Sequence, residues 1–271
     1  MAGYHFRSIF ISDFHLGIKN LQSQKLLDFL LCTESEYLYL VGDILDLLQA
    51  HKKWHWPETN DRIVHAIFEK ACNGTKVYYI PGNHDHMLRR FDGYTFNGIV
   101  IAGQVVHETA EGRRYLVTHG DKFDPIVQKM PWMASIGSSA YELLLKINRW
   151  TNFTKRATDR KKKSLSAWLK HQVKTAVNYF GKFEEMVTRK TSDYEVDGLI
   201  CGHIHHASIR EIGKALYANS GDWVESCTAL AENHAGRLGI VEWLNEQPLA
   251  EQVTAGEYEN LYRDRCLASS N

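Results

Sequence analysis

Lysine plus arginine balance aspartate plus glutamate at 32 each over 271 residues, so no net field steers this chain to nucleic acid, and anion attraction has to come from local clusters. With 44% hydrophobic and 24% charged residues the chain can bury a full core as one large domain with room for an inserted subdomain, which excludes a disordered class. The five cysteines, Cys32, Cys72, Cys201, Cys227 and Cys266, are odd in number, scattered and without a C-x-x-C pair. They exclude a disulfide framework and a zinc knuckle, and fit a reducing cytoplasm. The apolar run Ile9-Phe10-Ile11 is too short for a signal h-region, and no run approaches the length of a membrane span. A membrane would be met from the side.

In chain order, strand and helix alternate. Ser8 to Ser12 reads as a buried strand, Ser23 to Leu31 as a helix with Leu26, Leu27, Leu30 and Leu31 on one face, and Tyr37 to Val41 as a second strand. An irregular segment with Trp54, His55, Trp56 and Pro57 precedes a helix marked by Ile63, Val64, Ile67, Phe68 and Ala71 and closed by Asn73-Gly74. Lys76 to Ile80 is a third strand, cut off by Pro81-Gly82. Short strands follow at Ile99 to Ile101, Gln104 to His107 and Tyr115 to Thr118, a β-β succession that makes the sheet mixed. After His119 the period turns helical, with stripes through Trp132 to Ile147 and Leu165 to Phe180 around a basic run, Lys155 to Lys163. Strands resume at Asp197 to Cys201, Ser208 to Ile212, Ala215 to Ala218 and Leu238 to Trp243. The expected organisation is a core of residues 1–120 and 197–245, a helical insertion at 121–196 and a polar tail at 246–271.

Five apolar runs end in Asp or His: Asp13-Phe14-His15, Gly42-Asp43, Gly82-Asn83-His84-Asp85, His119-Gly120-Asp121 and Gly202-His203-Ile204-His205. Open α/β sheets keep their chemistry at strand carboxyl ends, so the five would converge on a metal site. Asp13 and His15, two apart, share a face if the extended geometry persists across them. Asp43 has two oxygens with which to bridge two cations about 3.5 to 4 Å apart. Asn83 offers a carbonyl oxygen and the histidines offer nitrogens. Mixed oxygen and nitrogen donors without thiolate suit two divalent ions, Mn²⁺ first, with Fe or Zn²⁺ as alternatives, rather than Mg²⁺ or Ca²⁺.

This motif set resembles that of the calcineurin-like metallophosphoesterase superfamily. The resemblance implies an α/β fold, a four-layer α-β-β-α sandwich of two mixed sheets, with a dinuclear centre at the strand ends. It implies that Asp13, His15, Asp43 and His205 hold one metal and Asp43, Asn83, His119 and His203 the other. His84 would be the non-ligand acid or phosphate contact, oriented by Asp85, and Asn83, His84 and His203 would touch substrate. The helical insertion is similar to that of the UDP-2,3-diacylglucosamine pyrophosphatase group, where a lid covers an acylated substrate. That group usually carries Arg in place of His84. Hydrolysis of UDP-2,3-diacylglucosamine to UMP and an acylated sugar 1-phosphate, from the cytoplasmic face of the inner membrane, is the implied activity. A soluble nucleotide or other phosphoester is the alternative, and a metal-free interaction scaffold the third; oligomeric state stays open.

Other residues carry two readings each. Asp46 either supports the site or caps a turn, and Asp121 and Asp124 either meet substrate or do not. His86, His206, His51 and His55 read as loop polarity, with His51 and His55 as candidate groove residues beside Trp54 and Trp56. Asn219, Gly221 and Asp222 read as a turn that could approach the site. The basic run is either a solvated face or an anion or membrane-surface contact.

Overall fold

The computed structural model describes residues 3–48, 54–123 and 182–243. Twelve strands, β1 (Tyr4–Ile11), β2 (Thr33–Val41), β3 (Lys76–Ile80), β4 (Thr95–Phe96), β5 (Ile99–Ile101), β6 (Val105–Glu108), β7 (Arg114–Val117), β8 (Gly198–Cys201), β9 (Ser208–Ile212), β10 (Ala215–Asn219), β11 (Thr228–Glu232) and β12 (Leu238–Glu242), form two mixed sheets. One runs β12-β11-β1-β2-β3-β5-β4 and the other β6-β7-β8-β10-β9. Helices α1 (Ser23–Cys32) and α2 (Glu58–Cys72) and a helix at 182–193 complete four layers.

The period of two in the strands assigns their faces. Ile9, Ile11, Leu38 and Leu40 point to α1 and α2, where they meet Leu26, Leu27, Leu30, Ile63 and Ile67. Phe10, Tyr39 and Val41 point the other way and meet Tyr115, Val117, Ile200 and Ala218 from the second sheet. Leu116, Leu199 and Cys201 then face Phe183, Met186 and Val187 of the 182–193 helix. Both sheets are therefore covered on both sides, the condition under which parallel strands are stable. Strands β1, β2 and β3 are mutually parallel, so their carboxyl ends emerge along one edge and deliver Asp13, Asp43 and Asn83 side by side.

Several boundaries differ from the sequence expectation. β1 and β2 each begin four residues earlier than expected, because Tyr4 to Phe6 pair with Thr33 to Ser35 although neither stretch is apolar. β11 has no counterpart in the sequence reading. Its five residues are all buried, on both faces, so TALAE shows no alternation and its glutamate reads as a loop. The stripes expected through Trp132 to Ile147 and Leu165 to Phe180, the basic run Lys155 to Lys163 and the tail 246–271 lie outside the described residues. No helix among the described residues is long and apolar enough to cross a membrane, and no disulfide joins the four described cysteines.

Candidate metal centre

All seven candidate ligands come together. Asp13, His15 and His205 offer donor atoms within 4.8 Å of one another, and Asp43, His119 and His203 form a second such group. Asn83 Oδ1 lies 3.2 Å from His119 Nε2, on the second group's side. Asp43 Oδ2 sits between the groups, 3.4 Å from His119 Nε2 and 3.9 Å from His15 Nε2. The motifs also interlock through the second oxygens of the two aspartates: His84 N–H donates to Asp43 Oδ1 and His203 N–H to Asp13 Oδ2, each at 2.8 Å.

The route to convergence is not the one expected for Asp13 and His15. The strand ends at Ile11, and Asp13 and His15 take φ of 54° and 48°, so they meet through left-handed kinks and not through an extended face. Asp43, His203 and His205 share this conformation, with φ of 52°, 70° and 58°. A non-glycine residue there costs about 1 kcal/mol or more, and such residues concentrate at functional sites. Five of the eight described non-glycine residues at positive φ are candidate ligands. Gly42 and Gly82 keep the strand ends close: a Cβ at Gly42 would overlap the His119 ring, and one at Gly82 would overlap Asp43 Oδ1.

The residues fit a metal pair. His15 Nδ1 is buried without a hydrogen-bond partner among the described residues, and Asp13 Oδ1, also buried, meets only His205 Nε2, itself a candidate ligand, at 3.3 Å; both are expensive arrangements unless the group has another ligand. His119 Nδ1–H donates to Val41 O at 2.9 Å, which fixes the tautomer and turns the Nε2 lone pair to the site, the usual backing of a metal-ligating histidine. Burial opposes charge on His119, but Asp43 and Asp13 outweigh it and push the imidazole up to about 9. Burial likewise opposes ionisation of Asp43, and His119 and the His84 N–H outweigh it, holding the carboxyl well below the usual range. His205 is raised as well, burial opposing its charge and Asp13 outweighing it, whereas burial lowers His15.

His84 stands beside these groups. Its half-buried ring places Nε2 4.0 Å from Asp43 Oδ2, while Nδ1–H donates to Asp46 Oδ1 at 3.1 Å. The expectation that Asp85 orients His84 is corrected: Asp85 is buried beneath the loop, accepting from Ile44 N–H (2.9 Å), Gly82 N–H (2.6 Å) and Tyr79 O–H (2.5 Å). It ties three segments together and does not touch the ring. Asp46, also 3.8 Å from His15 Nδ1, takes the orienting place; its spacing from Asp43 was the available signal.

The remaining candidates separate cleanly. Asn219 Nδ2 donates to Gly202 O at 2.6 Å, bracing the turn before His203, and Asp222 accepts from Val224 and Glu225 N–H groups as a turn cap. Asp121 pairs with Arg89 at 2.7 Å. His86 donates to Asn83 O, and His206 is exposed. Trp54 stacks on Trp56 at 5.1 Å, and His55 N–H donates to Gly17 O, so this segment packs on the turn after His15. His51 and Asp124 lie outside the described residues.

A family model described as calcineurin-like phosphoesterase matches residues 6–207, most of the chain, and the chain belongs to that family of phosphoester hydrolases. A UDP-2,3-diacylglucosamine hydrolase from Blochmanniella pennsylvanica is 28% identical over 118 residues, 42% of this chain and 46% of that protein. The chain thus spans under half the length of this curated relative. Among solved structures, a hypothetical protein from Pyrococcus horikoshii aligns at 10% identity over 88% of this chain and 87% of its own, with a TM-score of 0.47. A single mutant of Vps29 from Entamoeba histolytica aligns at 14% identity over 87% and 98%, with a TM-score of 0.41.

Proposed function

We propose that this phosphoesterase works at a dinuclear metal centre and cleaves the pyrophosphate of UDP-2,3-diacylglucosamine, giving UMP and an acylated sugar 1-phosphate. The observation that carries the dinuclear reading is Asp43 Oδ2, placed within 4 Å of nitrogens from both ligand groups. Asp13, His15, Asp43 and His205 would hold one cation, and Asp43, Asn83, His119 and His203 the other. Mn²⁺ suits this donor set first, and Fe or Zn²⁺ next. Bound there, the cations would supply an activated water and neutralise charge on the phosphoryl oxygens.

The chain's own residues account for the rest. His84, held at Nδ1 by Asp46, presents Nε2 to the same space as Asp43 Oδ2. From that place it contacts the phosphoryl group and gives a proton to the leaving phosphate oxygen as the bond to phosphorus breaks. Asn83 and His203, both half-buried, would meet substrate oxygens as well. Asp85 keeps the loop in shape and takes no part in proton transfer.

The substrate reading rests on the relative from Blochmanniella and on the sequence resemblance of the insertion. In this reading the insertion up to residue 181 forms a helical lid that selects the acylated substrate, while the helix at 182–193 stays with the core, on which Phe183, Met186 and Val187 pack; the basic run Lys155 to Lys163 holds the enzyme on an anionic membrane face. The test is hydrolysis of UDP-2,3-diacylglucosamine against UDP-glucose and bis(4-nitrophenyl) phosphate by the Mn²⁺-loaded protein. Preference for the acylated substrate by 10²-fold or more in kcat/KM supports the reading. Efficient turnover of the soluble nucleotide with none of the lipid rejects it and leaves the phosphoesterase.

A further inference from the structure

Beside the candidate metal centre a half-open apolar pocket of about 610 Å³ lies between α2, the sheet edge and the 3₁₀ turn His86–Phe91. Its lining includes Leu16, Ile44 and Leu45, each one or two residues beyond a candidate ligand, His15 or Asp43. Leu16 and Leu45 pair as an isolated bridge, so the loops that carry ligands on one side carry an apolar wall on the other. The opposite wall is Val64, Ile67 and Phe68 of α2. At the rim, Phe91, Tyr94 and Phe96 are 43%, 66% and 67% exposed.

The lining decides the ligand chemistry. None of the lining side chains is charged, and the Tyr79 hydroxyl is spent on Asp85. A polar ligand would lose its water there without replacement partners. The pocket opens at its aromatic rim, and its size falls in the range of small-molecule sites. At roughly 30 Å³ per water-sized group it takes a chain on the order of a dozen or more carbons. Exposed aromatic residues clustered at the mouth of such a cavity are what an entry for an apolar chain requires.

We propose that this cavity binds one alkyl chain of a lipid, entering past Phe91, Tyr94 and Phe96. The site belongs to the core and not to the insertion. The proposal rests on the substrate reading above only for the chain's source, which is either the substrate's own acyl group or a separate lipid.

The test uses the Mn²⁺-loaded full chain with Val64→Phe, which fills the cavity, and Phe96→Ser, which alters only the exposed rim. Neither residue belongs to the ligand groups, so hydrolysis of bis(4-nitrophenyl) phosphate should be unchanged and reports an intact fold. A fluorescent long-chain fatty acid should bind the wild type saturably and bind both variants at least tenfold more weakly. Absence of saturable binding, or equal binding by both variants, overturns the proposal.

UDP-glucosamine analogues acylated with hexanoyl, octanoyl or dodecanoyl chains then separate the sources. If the substrate's chain enters, wild-type kcat/KM rises with length by up to about fourfold per methylene, and Val64→Phe flattens the rise. If a separate lipid enters, fatty acid binding persists without competing against any analogue. A steep rise that both variants retain overturns the cavity assignment while the substrate reading survives. Saturable fatty acid binding with no hydrolysis of any acylated analogue does the reverse.

Discussion

Asp46 and Asp85 show how much rests on single contacts. Both are buried aspartates near His84, yet Asp46 faces its ring and Asp85 accepts backbone N–H groups beneath it. Sequence adjacency favoured Asp85, and only the turn at Pro81 to Asp85, which sends this carboxylate inward, reverses that choice. His84→Ala should keep both metals and lose ~10² to 10⁴ in turnover, the usual worth of a positioned acid or base. Loss of a metal in that variant would make His84 a ligand instead. Asp46→Asn should retain metals and KM and lower kcat by about tenfold or more. Asp85→Ala should act on stability, removing on the order of 3 kcal/mol by stranding buried donors, with kcat per folded molecule much less affected. Equal thermal midpoints for the Asp85 variant and the wild type would contradict this assignment.

At the level of elements most strands were legible from the sequence, β3, β5, β9, β10 and β12 beginning at the expected residue, whereas β1 and β2 begin four residues earlier than expected. Each apolar run stops at an Asp, Asn or His that water or a ligand must reach, so the carboxyl edge announces itself in sequence. The amino ends of β1 and β2 are held by pairing of Tyr4, His5 and Phe6 with Thr33, Glu34 and Ser35, a mixed stretch with no apolar run to read. β11 was hidden for a related reason: Glu232 lies buried in its final position, neutralised by partners from distant strands. It accepts from Arg7 at 2.9 Å, from Ser8 Oγ at 2.6 Å and from Ala110 N–H at 2.8 Å, and pairs with His107 Nε2 at 2.8 Å. His107 continues to Tyr39 at 2.9 Å, so the network joins both sheets at the end away from the metal ligands. Burial opposes its charge, but His107, Ser8 and Ala110 hold the carboxyl near 2, below its ordinary 4.5. A depressed folded value means the stabilisation is present above about pH 4.5 and is lost as pH falls toward 2. Urea midpoints over that range should fall for the wild type and fall less steeply for Glu232→Gln, which starts lower; parallel curves would show that the carboxylate is not the group responsible.

Taken as a whole, the molecule concentrates backbone strain and facing aspartates and histidines where strand ends of both sheets meet. Left-handed Asp13, His15, Asp43, His203 and His205, together with the buried His15 Nδ1, which has no hydrogen-bond partner among the described residues, destabilise the metal-free state locally. Metal at a hundredfold excess over Kd should add about 2.7 kcal/mol per independent site and raise Tm by about 5 °C or more, reversibly on chelation. Because the His119 imidazole is pushed up to about 9 without metal, ligation at pH 8 has to displace its proton. Calorimetry in two buffers of different ionisation enthalpy should therefore show net proton release. The motif set exposed this site in sequence because every ligand type it needs is present. The alkyl cavity was not legible, since Leu16, Ile44, Leu45 and Val64 look the same in sequence whether they close a core or line a hollow one.

The central claim is that Asp43 joins two cations. It is tested most directly by metal analysis and anomalous diffraction of the Mn²⁺-loaded wild type beside Asp43→Ala. The account predicts two ions per wild-type chain, about 3.5 to 4 Å apart on either side of Asp43 Oδ2, with loss of occupancy at both positions in the variant. A single ion in the wild type, or two ions at full occupancy in Asp43→Ala, would contradict it.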